Sequence, residues 1–476
     1  MLSFLYVIFI LSVIAQLFYF YIFSKFTFSK QEVTNIQRLK FSVIICARNE
    51  ADNLKLHLEK VLTQRYLDFE VIVVNDASTD TTSALLEEYQ IRFRHLKIIE
   101  IKASEDYSGN KKNAITKGVE AAKYEYLLFT DADCEPASTH WISEMASQFS
   151  DRKKIVLGYG AYKKISNSFL NKIIRYETLI TAVQYFSYTK MDMPYMGVGR
   201  NLAYKKSLFT EVNGLESHAN IKSGDDDLFI NEVANQKNTT ICFTKQSFTI
   251  SEPNTTFKSW FNQKRRHITT ANYYKPIHKT LLGIYYISQL SFWLLTIILL
   301  AYSLIGQLEI WNVILLMLLR LLIQYIIIGK AAEKLNEKDL IPWFPILDIY
   351  LVFIQFIIFI RNLKGKPNSW EKRRKILLIA STKQNKEMKL LIRFCLICFG
   401  KTFIVSFSTK QMTKMRRKMS PSELFRKHLI KLIHLTKITS SKHGYFPLPI
   451  TYLLTNYVRK RQKQFLLTKK ILKRIK

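Results

Sequence analysis

In the stretch YLLFTDADCEP, Asp131-Ala132-Asp133 follows directly on YLLFT, so two carboxylates at i and i+2 close an apolar, strand-like run. Carboxylates on the end of a buried strand are costly unless something cationic meets them, whether a metal ion, an Arg or Lys, or solvent at a sheet edge. Further acids stand in related places: Glu50 in CARNE, Asp76 in VIVVNDASTD, and Asp225, Asp226 and Asp227 in SGDDDLF. Mg²⁺ and Mn²⁺ take oxygen ligands and keep positions open for phosphate and water, and a divalent cation neutralises a nucleoside diphosphate beside a leaving bond. Each motif also has a plainer reading. A lone D-x-D is common in loops, the segment from Asp76 to Asp80 suits an Asx-turn and helix cap, and Glu50 is an acid favoured by a helix dipole. Three adjacent acids repel one another, so at least one pKa is expected to rise in a folded cleft, which suits a general base. WFNQKRRH, by itself, reads equally as a juxtamembrane basic helix touching lipid phosphates.

The elements around these acids alternate. FSVIICA reads as a buried strand, and Leu54, Leu58, Val61 and Leu62 then recur at helical spacing. EVIVVND is a second strand, followed by a helix from about Thr81 with Asp80 as its N-cap. LKIIEI is a third, a helix around residues 114–122 follows, and YLLFT is a fourth. This rhythm predicts an α/β domain with a mostly parallel sheet covered on both faces, where ligands bind at the carboxyl ends of the strands. The clusters Arg48-Asn49-Glu50, Asn75-Asp76 and Asp131-Ala132-Asp133 fall at those ends, so one crevice collects them.

Residues 1–23 carry no charge and match a bilayer crossing of roughly 20 residues. No basic residue precedes the run and no A-x-A site follows it, so an uncleaved anchor over residues 1–24 is expected rather than a signal peptide. Lys25, Lys30, Arg38 and Lys40 follow it, which by the positive-inside rule puts the next segment in the cytoplasm. Residues 281–305 and 310–328 are expected to form a hairpin that enters from and returns to that side. Residues 341–360 are apolar too, but a full crossing would carry the EKRRK run outside, and Pro342, Pro345 and Asp348 suit a re-entrant or interfacial segment. The organisation expected is an anchor over 1–24, a catalytic domain over 38–275, a membrane region over 281–360 and a basic tail over 385–476. The chain of 476 residues has a net charge of +34, and the tail holds 23 Lys and Arg against two Glu. In an anchored protein this composition points to anionic lipid more than to nucleic acid. Cys46, Cys134 and Cys242 fall in or beside a cytoplasmic domain, where disulfides are not expected. Cys395-x-x-Cys398 lies in an apolar run with no second pair, so packing is expected there rather than metal or redox chemistry.

The order FSVIICARNE, VIVVNDASTD, GNKKNAITKG, FTDADC, GVGRNLAYKKSLF, SGDDDLF and QKRRH resembles the inverting family 2 glycosyltransferases, over about residues 40–270. Within them it is most similar to the membrane-anchored branch related to cellulose, hyaluronan and poly-N-acetylglucosamine synthases. The resemblance implies a GT-A nucleotide-sugar-binding domain, flanked by N-terminal and C-terminal transmembrane helices, in a multi-pass protein of the cell membrane. It implies a nucleotide-sugar donor, Mg²⁺ or Mn²⁺, and transfer with inversion. Glu50 and Asp76 would contact the nucleoside, Lys111 the nucleotide-sugar, Asp131 the donor, and Asp133 the metal on the diphosphate. Asp226, second acid of a pair that stands where the family has Glu-Asp, would be the base. Gln263, Arg265 and Arg266 match the family's Gln-x-x-Arg-Trp segment, with Arg266 offsetting charge on the departing diphosphate. His267 stands where the synthases have Trp, and the membrane region is small. Both departures favour transfer of one sugar to a lipid-linked or membrane acceptor over processive polymer synthesis. A non-catalytic scaffold would be expected to lose the acids. A nucleotidyltransferase usually carries a Gly-rich basic loop after the first strand, and CARNE has no glycine.

Overall fold

A computed structural model describes residues 2–32, 38–102, 104, 107, 109–221, 223–306 and 310–363, so the basic tail with Cys395 and Cys398 lies outside the described residues. The chain opens with the apolar helix α1 (Leu2–Thr27) and then alternates as the sequence predicts. Strands β1 (Phe41–Ala47), β2 (Phe69–Asp76), β3 (Leu96–Ile101) and β4 (Tyr126–Asp131) are linked by helices α2 (Ala51–Leu62), α3 (Thr82–Arg92) and α4 (Lys111–Ala121). Val43, Val71, Ile72, Val73, Leu127 and Leu128 are fully buried, each side chain contributing about 1.5–3 kcal/mol by leaving water. Gly118 of α4 has no room for a side chain: a Cβ there would lie 2.7 Å from Ile44, so the glycine sets how closely α4 packs on the sheet.

The next elements are β5 (Cys134–Pro136), α5 (Trp141–Ala146), β6 (Ile155–Leu157), β7 (Gly160–Tyr162), α6 (Phe169–Lys190), β8 (Leu202–Lys205), α7 (Lys206–Glu211) and α8 (Asp227–Val233). They are followed by β9 (Thr239–Ile241), β10 (Thr249–Ser251), α9 (Phe257–Ile268), α10 (Pro276–Leu304), α11 (Ile310–Lys334) and α12 (Phe344–Leu363). The main sheet runs β3-β2-β1-β4-β8-β6-β9, and a small sheet runs β5-β10-β7. The first four strands are parallel, and β8 is antiparallel to both β4 and β6. This is the mostly parallel α/β sheet expected of a GT-A domain.

Register aligns the chemistry. Cys46 on β1 pairs with Val74 on β2 and with Asp131 on β4, so the residues just beyond all three strands overhang the same edge. The loops there are laced together. Asn49 Oδ1 accepts from Thr79 N at 2.7 Å and Asn49 N donates to Ser78 Oγ at 2.9 Å. Asn49 and Ala77 adopt φ of 56° and 55°. For an alanine that left-handed conformation is strained, and such residues cluster at functional sites.

Four segments, Leu2–Thr27, Pro276–Leu304, Ile310–Lys334 and Lys338–Leu363, are long and apolar enough to cross a membrane. The last of them has a particular arrangement. At its start, Glu337 and Asp339 both pair with Arg175 of α6. At its far end Asn362 Oδ1 accepts from Arg265 Nε of α9 at 2.9 Å, and Arg361 lies over the Phe261 ring at 5.4 Å. Both ends of this segment are therefore fastened to helices α6 and α9 of the α/β domain.

Candidate active site

At the carboxyl edge of the sheet, Lys111 in the first turn of α4 lies 3.0 Å from Asp131 Oδ1 and 3.2 Å from Asp225 Oδ2. Burial disfavours its ammonium, but Asp131, Asp225 and Asp226 outweigh burial and hold its pKa well above the ordinary lysine value. The register of β4 and the N-cap at Asn110, whose Oδ1 accepts from Lys112 N at 3.0 Å, aim the two partners at each other. Lys111, Asp131, Asp225 and Asp226 line one pocket with Cys46 and Thr130. The buried Thr130 hydroxyl has no hydrogen-bond partner among the described residues.

The three acids of SGDDDLF take three different environments. Burial opposes ionisation of Asp225, but Lys111 prevails and holds its pKa below the ordinary range. Asp226 is the N-cap of α8. Its Oδ2 accepts from Gly199 N at 2.6 Å and its Oδ1 from Asp227 N at 2.9 Å. Burial, and then the charges of Asp225 and Asp227, push its pKa up to about 7, where a carboxyl group exchanges a proton at neutral pH. Asp227 turns away: its Oδ2 accepts from Thr270 Oγ1 and Tyr274 OH, each at 2.6 Å.

Asp133 accepts from Cys134 Sγ at 3.2 Å, and burial and the neighbouring Asp131 raise its pKa. A carboxylate whose ionisation is made costlier by a neighbouring acid suits a divalent cation. Among the described residues no group of three or more His, Cys, Asp or Glu side chains is arranged to hold a metal ion. The protein side would offer one or two carboxylates and leave the other positions to phosphate and water, which suits Mg²⁺ or Mn²⁺. Glu50 shares this environment: burial, with Asp133 and Asp131 adding to it, raises its pKa, while Asn53 Nδ2 donates to its Oε2 at 2.6 Å. Asp76 accepts from Tyr107 OH at 2.6 Å. Glu50, Lys111, Asp131, Asp133 and Asp226 thus meet at one edge, with Asp76 at the end of the adjoining strand β2.

On α9 the two arginines part company, since Arg265 reaches α12. The Gln263 amide oxygen accepts from Asn254 Nδ2 at 2.7 Å. His267 is exposed at the rim of the cleft. The dense walls around it still desolvate the ring, and with Lys264, Arg266, Arg200 and Lys111 they hold its imidazole well below the ordinary histidine range. Sequence reasoning gave no role to Gly199 or Arg200, although both lie in the motif GVGRNLAY. Gly199 supplies the amide that holds Asp226. Arg200 donates to Gly160 O, Ala161 O and Ser251 Oγ, stacks on Tyr162 at 4.3 Å, and sets a buried positive charge beside Asp133. An arginine within a loop of small residues was the available signal.

Comparisons with known proteins match the chain to glycosyltransferases. Residues 42–212 match the model of Glycosyl transferase family 2, and residues 131–360 match that of Glycosyl transferase family group 2. The chain is 28% identical over 125 residues to a poly-beta-1,6-N-acetyl-D-glucosamine synthase of Staphylococcus epidermidis, covering 25% of this chain and 29% of that protein. It is 30% identical over 124 residues to an uncharacterized glycosyltransferase of Haemophilus influenzae, covering 26% of this chain and 36% of that one. The chain therefore matches only about a third of these relatives' length. Among solved structures, the mannosyltransferase PcManGT from Pyrobaculum calidifontis, in complex with GDP-Man and Mn²⁺, aligns at a TM-score of 0.49 and 17% identity over 74% of this chain and 99% of that one. The two family models together run from residue 42 to residue 360, across the sheet, the cleft and the apolar helices, so that span carries the sequence signature of family 2 glycosyltransferases.

Proposed function

We propose that the protein moves one sugar from a nucleoside-diphosphate sugar to a hydroxyl of a lipid-linked or membrane-associated acceptor, with inversion at the anomeric carbon. The observation that carries this reading is Asp226. It is half-buried at the carboxyl edge of the sheet and fixed through both oxygens, and burial with its acidic neighbours raises its pKa to about 7. Such a carboxylate takes the acceptor hydroxyl's proton as that oxygen attacks the sugar from the face opposite the leaving diphosphate. Glu50 and Asp76 bind the nucleoside. Lys111 and Asp131 orient the diphosphate-sugar. Arg266, beside His267 on α9 with Gln263 one turn earlier, meets charge developing on the diphosphate. Asp133, helped by Asp131, would hold Mg²⁺ or Mn²⁺, which supplies charge neutralisation on the diphosphate when bound.

The reaction belongs at a cytoplasmic membrane surface. Basic residues follow α1, and α10 and α11 form a hairpin that leaves and re-enters the domain side. The segment with both ends on α6 and α9 supports an interfacial rather than a crossing reading of α12. Processive synthesis is the second reading, favoured by the synthase activity named for the Staphylococcus epidermidis relative. Purified membranes given a panel of nucleotide-sugars with Mn²⁺ or Mg²⁺ test the proposal. Release of nucleoside diphosphate with a singly extended lipid product supports it, a ladder of long products supports the second reading, and no release with any donor rejects both.

A further inference from the structure

The carboxylate of Asp227 touches none of the groups assigned to donor or acceptor and bears on this chemistry only through its charge on Asp226, yet it is only 8% exposed and carries two hydrogen bonds of 2.6 Å. Its partners are informative. Thr270 and Tyr274 belong to the short connection between α9, which carries Gln263 and Arg266, and α10, the first of the late apolar helices. The Thr270 hydroxyl also lies 2.7 Å from the carbonyl of His267, so Asp227 reaches the end of α9 through one side chain. One turn further along α8, Asn231 makes a second attachment to the same connection. Its Oδ1 accepts from Lys275 N at 2.9 Å, and its Nδ2 donates to Tyr195 O at 2.7 Å. The helix capped by Asp226 is therefore fastened at two levels to the segment that joins α9 to the membrane helices.

We infer that Asp227 is a positioning residue, which locks the turn bearing the base to the helix bearing the leaving-group arginine, so that the two ends of the in-line displacement keep one fixed separation. This rests on the reading of Asp226 as the base. The physical reason for an acid here is its capacity to accept from two hydroxyls at once, which a neutral amide oxygen does more weakly. A misplacement of about 1 Å between reacting groups costs on the order of a hundredfold in rate, so the lock acts on turnover more than on donor affinity.

The principal variants of the test leave all three acids in place. In the full chain in detergent or membranes, T270V, Y274F and the double variant T270V/Y274F are compared with T270S, D227N and D226N for kcat, donor KM and thermal midpoint. The expected result is a roughly ten- to hundredfold fall in kcat for T270V/Y274F with donor KM within about twofold. T270S is expected to keep kcat, and D227N combined with T270V/Y274F to add no further loss. Wild-type kcat in T270V/Y274F overturns the inference, as does a loss that follows the thermal midpoint or donor KM alone. If T270V/Y274F is active while D227N is dead, Asp227 acts through its own carboxylate and the lock is wrong. The base reading fails separately, if D226N retains transfer.

Discussion

Two clusters of charge sit in this protein, one half-buried in the cleft and one buried among the apolar helices, and they differ in how far their charges balance. In the helix cluster Asp348 of α12 accepts four bonds: Tyr176 OH at 3.1 Å and Gln289 Nε2 at 3.2 Å on one oxygen, Trp293 Nε1 at 2.9 Å and Arg320 Nη2 at 2.8 Å on the other. Arg320 is fully buried, donates also to Gln324 and Gln16, and lies over the rings of Phe292 and Phe20. One cation meets one anion, and every carboxylate oxygen has neutral donors besides; among the described residues only Arg320 Nε lacks a hydrogen-bond partner there. In the cleft, Asp131, Asp133, Asp225 and Asp226 crowd around Lys111 and Arg200, and burial leaves Asp133 and Asp226 with raised pKa. A balanced cluster is a strut, because nothing is gained by bringing further charge to it. An acidic excess held rigidly in a cleft has unmet demand for a cation and for protons, and under the proposed function a diphosphate-sugar, its metal and an acceptor hydroxyl would supply it.

Breaking the cleft is expected to have the larger consequences for turnover. Asp133→Ala removes a ligand from the donor's counter-ion and is expected to abolish turnover, as is EDTA added to the wild type, read as nucleoside diphosphate released. Full activity in either case would end the metal assignment. Asp226→Asn is expected to lower transfer by about 10²- to 10⁴-fold while the donor still binds, measured as donor Kd beside kcat. The same change has a stability signature. In the fold Asp226 keeps its proton up to about pH 7, whereas unfolded it loses it near pH 4. The native state therefore binds more protons across that window, and stability declines as pH rises through it. Asp226→Asn removes that decline, so the variant is expected to melt higher than wild type at pH 8 and no higher at pH 4.

The pH profile is the next, smaller effect. Because the base must be ionised, kcat/KM is expected to fall about tenfold per unit below pH 7 and to level off above it, with the limb lost in Asp226→Asn. An acid limb centred near pH 4 would mean that the group acting is not Asp226. The balanced cluster sharpens the contrast by responding in stability. Arg320→Leu leaves Asp348 unpaired and is expected to cost about 3–5 kcal/mol, seen as a lower thermal midpoint in detergent. Arg320→Leu with Asp348→Leu should recover most of it, with kcat per folded molecule close to wild type throughout. Loss of kcat in the double variant at full stability would show that this pair does more than hold the helices.

Much of the cleft was legible in the sequence because it is built from strand ends. In a parallel sheet a short apolar run and the polar residues after it fix where a carboxylate emerges, so Glu50, Asp76, Asp131 and Asp133 could be placed from local pattern alone. Lys111 was reached through a family motif, and the structure gives the reason for it in its two ion pairs. Local pattern could not tell the three acids of SGDDDLF apart. Their differences come from Lys111, Gly199, and Thr270 with Tyr274, which lie 114, 27 and 43 to 47 residues away in the chain. The same holds for residues 341–360, where hydropathy fixed the length and apolarity of the segment. What its ends touch depends on Arg175 and Arg265, residues of another part of the chain. The sequence by itself determined the strands, the helices long enough to meet a membrane, and the acids at the sheet edge, because propensity, hydropathy and strand register are local. Only the tertiary structure decided which acid is paired, which holds a proton near neutrality and which locks two helices, because burial and charge partners are set by residues brought together from far apart.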